Sequence, residues 1–370
     1  MANTLTNLIP ELYSNLDVVS RELVGMIPAV TLDPAASRAA LNQTVRTFVA
    51  PAATASDITP GLTAPDTGDQ TIGSGTLSIT KARKVPIRWN GEEELSVGGA
   101  GFGAAQIRAS QIQQAFRTLV NEMEADLCAL HIAASRAHGT AGTTPFGTAG
   151  DYTDASLARK ILVDNGAGES DLHLVMNTAA GANIRGKQAR VDEAGTTSIL
   201  RQGVLQDVGG MMLRESGQIV TFTKGTGASA TTNAAGYAVG ATVITLAAVG
   251  TGTILAGDVI TFAGDSNQYV VASGDTDVSN AGTITLAAPG LKVAMSAATK
   301  AITVVASSAR NMAFRRSAIV LATRLPALPT GGDSAIDRAV VTDPRSGVSF
   351  EISMYAQYRQ MYWEVAACWG

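Results

Sequence analysis

The feature that most constrains this chain is a run of 35 residues, Ala104 to His138, without glycine or proline. It follows a glycine cluster at 98–103 and stops at Gly139, a residue typical of helix ends. Its apolar residues recur mostly at helical spacing: Ile107, Ile112, Phe116, Leu119, Val120, Met123, Leu127, Leu130 and Ile132. The run predicts one helix, roughly 50 Å long at 1.5 Å per residue, lying along a sheet.

Composition narrows the class of protein. A chain of 370 residues predicts two or three domains. A net charge of −4 does not indicate the basic surface that is typical of specific nucleic-acid binding. The two cysteines, Cys128 and Cys368, allow at most one disulfide, which favours a reduced, intracellular origin.

Neither a signal peptide nor a membrane span is predicted. Met1 to Leu12 has no basic residue before an apolar run. The longest uncharged run, Gly225 to Gly257, is interrupted by glycines and rich in threonine. Strands separated by turns explain that run better than a transmembrane helix does.

Residues 226–306 predict a separate all-β module, because short β-branched runs alternate there with Gly, Asp or Asn turns. The predicted strands are Val243–Leu246, Val259–Phe262, Tyr269–Val271, Thr283–Leu286 and Ala301–Val305. The aspartates between them are explained by turn chemistry rather than by calcium binding: Asp258, Asp265, Asp275 and Asp277.

The rest of the chain predicts an α+β fold. Residues 51–80 are nearly free of large apolar side chains, and they predict a long extended excursion that returns as a strand. Helices are predicted at 7–24 and 153–165, a buried strand at 171–177, and a hairpin of long strands at 348–365.

No motif predicts catalysis, a metal or a cofactor. The run Gly181 to Gln188 matches most of a phosphate-binding loop, but Gln188 replaces the hydroxyl residue that binds magnesium. The glycine pattern at 99–104 leads into a helix too long for a dinucleotide site. Cys128, His131 and His138 do not have a common zinc-ligand spacing. We therefore expect a protein that is not an enzyme.

Several short motifs occur along the chain in one order. They are Asn3–Asn7 leading into Pro10, Gly203–Gly210, Leu255–Gly264 and Asn311–Ala322, with a turn at Asp343–Gly347. In this order they resemble the major capsid (coat) proteins of tailed double-stranded DNA bacteriophages, which have the HK-type fold. The resemblance is to the short-tailed-phage branch that carries an inserted β domain.

The resemblance implies a division of the chain and a set of partners. The implied parts are an N-terminal arm (1–50), an extended loop (51–90), a peripheral domain with a spine helix (91–150 and 335–370), an axial domain (151–225 and 307–334) and an inserted β domain (226–306). The implied function is a shell of hexamers and pentamers around packaged DNA. The implied partners are further copies of the chain, a separate scaffolding protein, a portal protein, a decoration protein and DNA bound non-specifically. The implied location is the virion, after assembly in the host cytoplasm.

The cost of ordering the extended loop also favours a protein that assembles with copies of itself. Ordering each residue costs about 1–2 kcal/mol, and a loop with so few apolar residues has no core to offset that cost. We therefore expect a neighbouring subunit to order it. The charges at its base are candidates for contacts that set the register between subunits: Lys81, Arg83, Lys84, Glu92, Glu93 and Glu94. The alternative is a solvated strand face.

Two other interpretations of the whole chain remain open. An encapsulin-like bacterial compartment would share the fold. A secreted β-rich adhesin is an interpretation from another class, and the long helix and the missing signal segment argue against it.

Overall fold

The computed structural model describes residues 24–49, 55–63, 68–69, 72–98, 104–148, 151–187, 205, 207–343 and 347–370. These residues fall into two compact units. The first comprises Leu32–Leu119 and Val320–Gly370, and the second comprises residues 24–31 and Val120–Ile319. The predicted helix at 7–24 and the glycine pattern at 99–103 lie outside the described residues, apart from Val24.

The described elements form a mixture of helices and strands, as the sequence predicts. The helices are α1 (Gly91–Gly98), α2 (Ala104–Ala129), α3 (Thr153–Asp164) and α4 (Thr178–Lys187). The strands outside residues 226–306 are β1 (Thr31–Ala39), β2 (Thr44–Val49), β3 (Gly73–Ser78), β4 (Lys81–Asn90), β5 (Arg136–Ala137), β6 (Leu172–Met176), β7 (Met211–Glu215), β8 (Thr221–Phe222), β14 (Ser308–Ala309), β15 (Met312–Arg315), β16 (Val320–Pro326), β17 (Ala335–Thr342), β18 (Ser349–Gln357) and β19 (Gln360–Trp369).

The first unit is built on β19, an apolar strand that pairs on both sides. One side pairs with β4 along its whole length. The other side pairs with β18 over seven residue pairs and with β16 at Cys368–Trp369. β17 and β1 extend this antiparallel sheet beyond β18 and β16. The predicted C-terminal hairpin is confirmed as β18 and β19.

The first part of α2 packs against this sheet. The rings of Phe116 and Phe350 meet edge to face at 5.1 Å, and the indole N–H of Trp89 donates to Gln111 Oε1 at 2.7 Å. The stripe that periodicity assigns to the buried face is confirmed at five positions: Ile112, Phe116, Leu119, Met123 and Leu127. The chain passes from the first unit to the second within α2, after Leu119.

The predicted end of the long helix is wrong. α2 stops at Ala129, followed by a short 3₁₀ turn, and Arg136–Ala137 then forms β5 instead of continuing the helix to His138. β5 pairs with Gln268 and Tyr269, more than a hundred positions later. Strand pairing at such separation leaves no signal in local periodicity.

The second unit contains a three-stranded sheet with β6 at its centre. β15 pairs with β6 in antiparallel fashion, and β7 pairs with β6 in parallel. The predicted buried strand at 171–177 and the predicted helix at 153–165 are confirmed as β6 and α3. α3 and α4 contribute to the core below the sheet, whose fully buried members include Ala155, Met176, Ala180, Ile184 and Met211.

Residues 226–306, the β block, contain the predicted strands at almost the predicted bounds: β9 (Val243–Thr245), β10 (Val259–Phe262), β11 (Gln268–Ser273), β12 (Thr283–Leu286) and β13 (Ile302–Val304). Their order in the sheet is β13-β10-β11-β12-β9.

Residues 230–233 close this sheet, because they bond to both of its outer strands. Asn233 N–H donates to Thr245 O of β9 at 2.9 Å, and Ile302 N–H of β13 donates to Ala230 O at 2.8 Å. The result is a small barrel around an apolar core that includes Ile244, Ile260, Phe262, Tyr269 and Ile284. A closed barrel has no exposed sheet edge between these strands.

Among the described helices, none combines the length and the apolar character needed to cross a membrane.

Candidate subunit interface

A hairpin carries the segment that the sequence marks as an extended excursion. β2 and β3 pair in register from Thr44 opposite Ser78 to Val49 opposite Gly73. The base of the hairpin is tied to the first unit, because Asn42 N–H donates to Ile79 O at 2.8 Å. Ile79 is itself fully buried. The hairpin therefore leaves the sheet from a fixed base.

The described residues beyond the hairpin expose their large apolar side chains. Residues 55–61 have no regular secondary structure. Ile58 is 96% exposed, Leu62 108% and Ile72 70%, and Leu41 beside the hairpin is 54% exposed. Exposed apolar side chains concentrated on one segment are typical of protein–protein contact sites.

The basic candidates lie on β4, at the edge of the sheet. Lys84 Nζ is 2.9 Å from Glu364 Oε2, and it lies 5.5 Å from the centre of the Tyr362 ring. The hydrogen bond to Glu364 raises the pKa of Lys84 well above its ordinary value. Lys81 Nζ lies 6.0 Å from the Trp369 ring, and Arg83 is exposed. The Lys84 ammonium thus has its partner on β19 of the same chain.

The acidic candidates lie on the first turn of α1. Glu93 and Asn90 form a capping box, in which Glu93 N–H donates to Asn90 Oδ1 at 2.8 Å and Asn90 N–H donates to Glu93 Oε2 at 3.0 Å. Glu94 Oε1 is 2.5 Å from Arg108 Nη1 of α2. Glu92 is exposed. Within the described chain, Glu93 and Glu94 therefore have structural roles, and their role between subunits stays a prediction.

A buried ionic network that sequence reasoning missed fixes β1 to the same sheet. Glu351, only 4% exposed, is paired with Arg38 of β1 and lies 3.1 Å from Arg338 Nε of β17. Asp33 of β1 accepts from Arg324 Nη2 at 2.8 Å. The sequence contained one sign of this network, a single glutamate within the apolar run of β18. A charge buried there needs a partner of opposite charge.

The phosphate-loop candidate does not form a loop. Gly181 to Lys187 lies within α4, and Gln188 lies outside the described residues. A phosphate-binding loop presents free main-chain N–H groups to the phosphate, whereas here the main chain is helical.

The ammonium group of Lys187 is enclosed by main-chain carbonyls and aromatic rings. Its ammonium group donates to the main-chain carbonyls of Thr148 and Asp151. The rings of Phe146 and Tyr152 lie 5.9 and 5.2 Å from Nζ. The residue is only 8% exposed, so this lysine holds the loop before α3 against the end of α4.

The three residues considered as zinc ligands, Cys128, His131 and His138, have other partners. His131 Nδ1 lies 3.2 Å from the carbonyl of Cys128, and His138 Nε2 lies 3.7 Å from Asp154. Cys128 Sγ lies 3.7 Å from Ser216 Oγ. Across the part of the chain that the structure describes, no three His, Cys, Asp or Glu side chains are placed to hold a metal ion.

Both cysteines are buried free thiols. Burial raises the pKa of Cys128 and of Cys368 to about 11. Thiols with such pKa values remain protonated at neutral pH, so both act as small apolar core residues.

Comparison with known proteins gives structural likenesses only. No model of a protein family matches the chain, and no curated protein sequence matches it. The mature capsid of bacteriophage PhiM1 is similar over 92% of this chain and 81% of its own, at 11% identity and a TM-score of 0.39. The capsid of Myoviridae phage XM1 is similar over 95% and 88%, at 10% identity and a TM-score of 0.35. Both are phage capsid structures. A virus-like particle from Pyrococcus furiosus is also similar, over 84% and 97%, at 12% identity and a TM-score of 0.28.

Proposed function

We propose that this chain is the major capsid protein of a tailed double-stranded DNA bacteriophage. In this proposal it has the HK-type fold and assembles into hexamers and pentamers around packaged DNA. The observation that carries the proposal is the group of three large apolar side chains, Ile58, Leu62 and Ile72, exposed on a segment held out by the β2–β3 hairpin.

Energetics supports a neighbouring subunit as the partner of this segment. Burying Ile58, Leu62 and Ile72 would stabilise the segment by about 1.5–3 kcal/mol for each side chain. Ordering some thirty residues costs tens of kcal/mol, so the three side chains alone do not offset it. Main-chain pairing with several neighbours in a closed shell supplies the remainder, because each subunit contributes one loop and receives others.

The proposal assigns the parts of the chain as the family resemblance implies. The extended loop is residues 51–90, the peripheral domain is 91–150 with 335–370, and the axial domain is 151–225 with 307–334. Residues 226–306 are the inserted β domain, and residues 1–50 are the arm. Lys81, Arg83, Lys84, Glu92, Glu93 and Glu94 set the register between subunits. A scaffolding protein, a portal protein and a decoration protein are the proposed partners, and the particle is a virion assembled in the host cytoplasm.

The deciding experiment removes the exposed side chains without disturbing the fold. We expect an Ile58→Ser/Leu62→Ser double variant to melt like the native chain, because both side chains are exposed, but to form no shells by negative-stain microscopy. The matched control is Val249→Ser, which alters a 53% exposed valine of the β block. Shells formed equally by the double variant and the control would overturn the proposal.

Limited proteolysis tests the same segment in the native chain. We expect the free subunit to be cut first between Ala52 and Gly75, and assembled shells to resist cleavage there. Equal protection in both forms would mean that the loop packs on its own subunit.

The contents of the particles separate the two shell interpretations. Particles that enclose double-stranded DNA after infection support the capsid interpretation. Particles that enclose a protein cargo and no genome would support an encapsulin-like compartment. A secreted monomer would support the adhesin.

A further inference from the structure

His173 is a buried titratable residue that the proposed shell function does not use. It lies on β6, the central strand of the sheet β15-β6-β7, and exposes no surface. Phe314 of β15 is its cross-strand partner, and their ring centres are 6.3 Å apart. Three charged residues act on the imidazole: Arg214 of β7, Arg316 just after β15 and Asp171 just before β6.

Hydrogen bonds fix the protonation of this imidazole. Arg214 of β7 donates from Nε–H to His173 Nδ1 at 3.5 Å. A guanidinium has no acceptor, so Nδ1 must carry a lone pair. The ring proton is then on Nε2, which donates to Asp171 Oδ1 at 3.1 Å. The contacts therefore select one neutral tautomer.

The surrounding charges oppose protonation. Arg316 lies beside the same site, with Nε 3.5 Å from Asp171 Oδ1. A protonated His173 would face the guanidinium groups of Arg214 and Arg316, and the partly exposed carboxylate of Asp171 would offset them in part. A second carboxylate, Asp207, favours the charged form of Arg214 through its negative charge.

We propose that His173 is an acid-sensitive contact of the sheet β15-β6-β7, which holds the three strands together while neutral and loosens them when it takes up a proton. This inference does not depend on the proposed shell function, because it concerns the stability of one sheet within the chain.

Burial lowers the pKa of His173, the two arginines lower it further, and Asp171 partly counteracts both. An opened sheet exposes the imidazole to water, where its pKa is about 6.5. Below that pH the open form binds a proton that the closed form does not. The opening equilibrium therefore rises with falling pH, by up to tenfold per pH unit, until the closed form is protonated as well.

The experiment uses the full chain and the nitrogen spectrum of its three histidines, assigned through the variants His131→Gln, His138→Gln and His173→Gln. We expect His173 to show the neutral tautomer with its proton on Nε2, and to keep it below the ordinary histidine pKa of about 6.5. His131 is a necessary comparison, because burial lowers its pKa too. A His173 signal that titrates near the ordinary value, or a proton on Nδ1, would overturn the proposal.

Hydrogen exchange supplies the second readout. We expect opening of the Leu172–Met176 amides, corrected for intrinsic exchange, to increase between about pH 7 and about pH 5 in the native chain. The increase should be lost in His173→Gln, or in His173→Asn if the first variant folds poorly, and kept in His138→Gln. Arg214→Gln should move protonation of His173 to higher pH. Exchange with the same pH dependence in native and His173 variants would contradict the proposal.

Discussion

The carboxylate of Glu124 accepts a 2.7 Å hydrogen bond from the main-chain N–H of Met26, and both residues are completely buried. The same carboxylate accepts from Gly25 N–H at 2.7 Å and from Ile27 N–H at 3.0 Å. These N–H groups precede or begin a short 3₁₀ helix, where the helix itself offers them no acceptor. One side chain of α2 thus holds a segment nearly a hundred residues earlier in the chain.

Replacing this carboxylate should destabilise the second unit. In Glu124→Gln one oxygen becomes an amide donor that faces N–H groups, and each charge-assisted hydrogen bond is worth about 1.5–3 kcal/mol. We expect the free energy of unfolding to fall by about 3 kcal/mol, measured by denaturant unfolding. Glu92→Gln, at an exposed position of α1, should change it by less than about 0.5 kcal/mol. Equal stability of the two variants would contradict the role of Glu124.

Gly25 should not tolerate a side chain. A Cβ atom there would lie 2.7 Å from the main-chain oxygen of Glu215 and 2.9 Å from Val175 Cγ1. We expect Gly25→Ala to lower the free energy of unfolding by about 1–3 kcal/mol, since the close contacts force the backbone to move. Gly91→Ala is the control, because nothing lies within 4 Å of the added atom. A Gly25→Ala chain as stable as the control would show that the segment can shift without cost.

Lys187 should contribute to stability and not to nucleotide chemistry. Lys187→Met keeps most of the volume but leaves two main-chain carbonyls without their donor, so we expect a loss of about 1–3 kcal/mol in thermal or denaturant unfolding. Lys160→Met, at a side chain that is 66% exposed, should have little effect. ATP hydrolysis by the native chain that Lys187→Met abolishes would restore the phosphate-loop interpretation.

The β block should fold when residues 226–306 are expressed alone, because its main core is formed from residues within it. We expect a dispersed amide spectrum and a cooperative melt. The melting temperature should be lower than that of the block in the full chain, because Val259, Val270 and Ala287 lose the cover of Ala134 and Ala137. Poor dispersion without a cooperative transition would show that the block needs those contacts to fold.

Uniform shells should require a separate scaffolding protein. In the proposed shell the same contacts serve both hexamers and pentamers, so they do not by themselves select one curvature. We expect expression of the chain alone to give particles of mixed sizes by sedimentation and microscopy. Shells of one size formed by this chain alone would contradict the prediction.

Local sequence patterns predicted the elements in which buried and exposed residues alternate regularly along the chain. The strands Val259–Phe262 and Thr283–Leu286 have the predicted bounds, because alternation and flanking turns define them without distant contacts. Glu124 shows the opposite case. It lies outside the apolar stripe of α2, yet it is buried, since its partners at 25–27 lie far away in sequence. Glu351 was missed for the same reason, because Arg38 and Arg338 reach it only in the folded sheet.

The pairing of β8 with β14 places the two ends of the β block side by side, with Phe222 opposite Ser308. Paired residues of this kind are about 5 Å apart. A foreign domain whose own termini lie close together can therefore replace residues 226–306 without stretching the host strands.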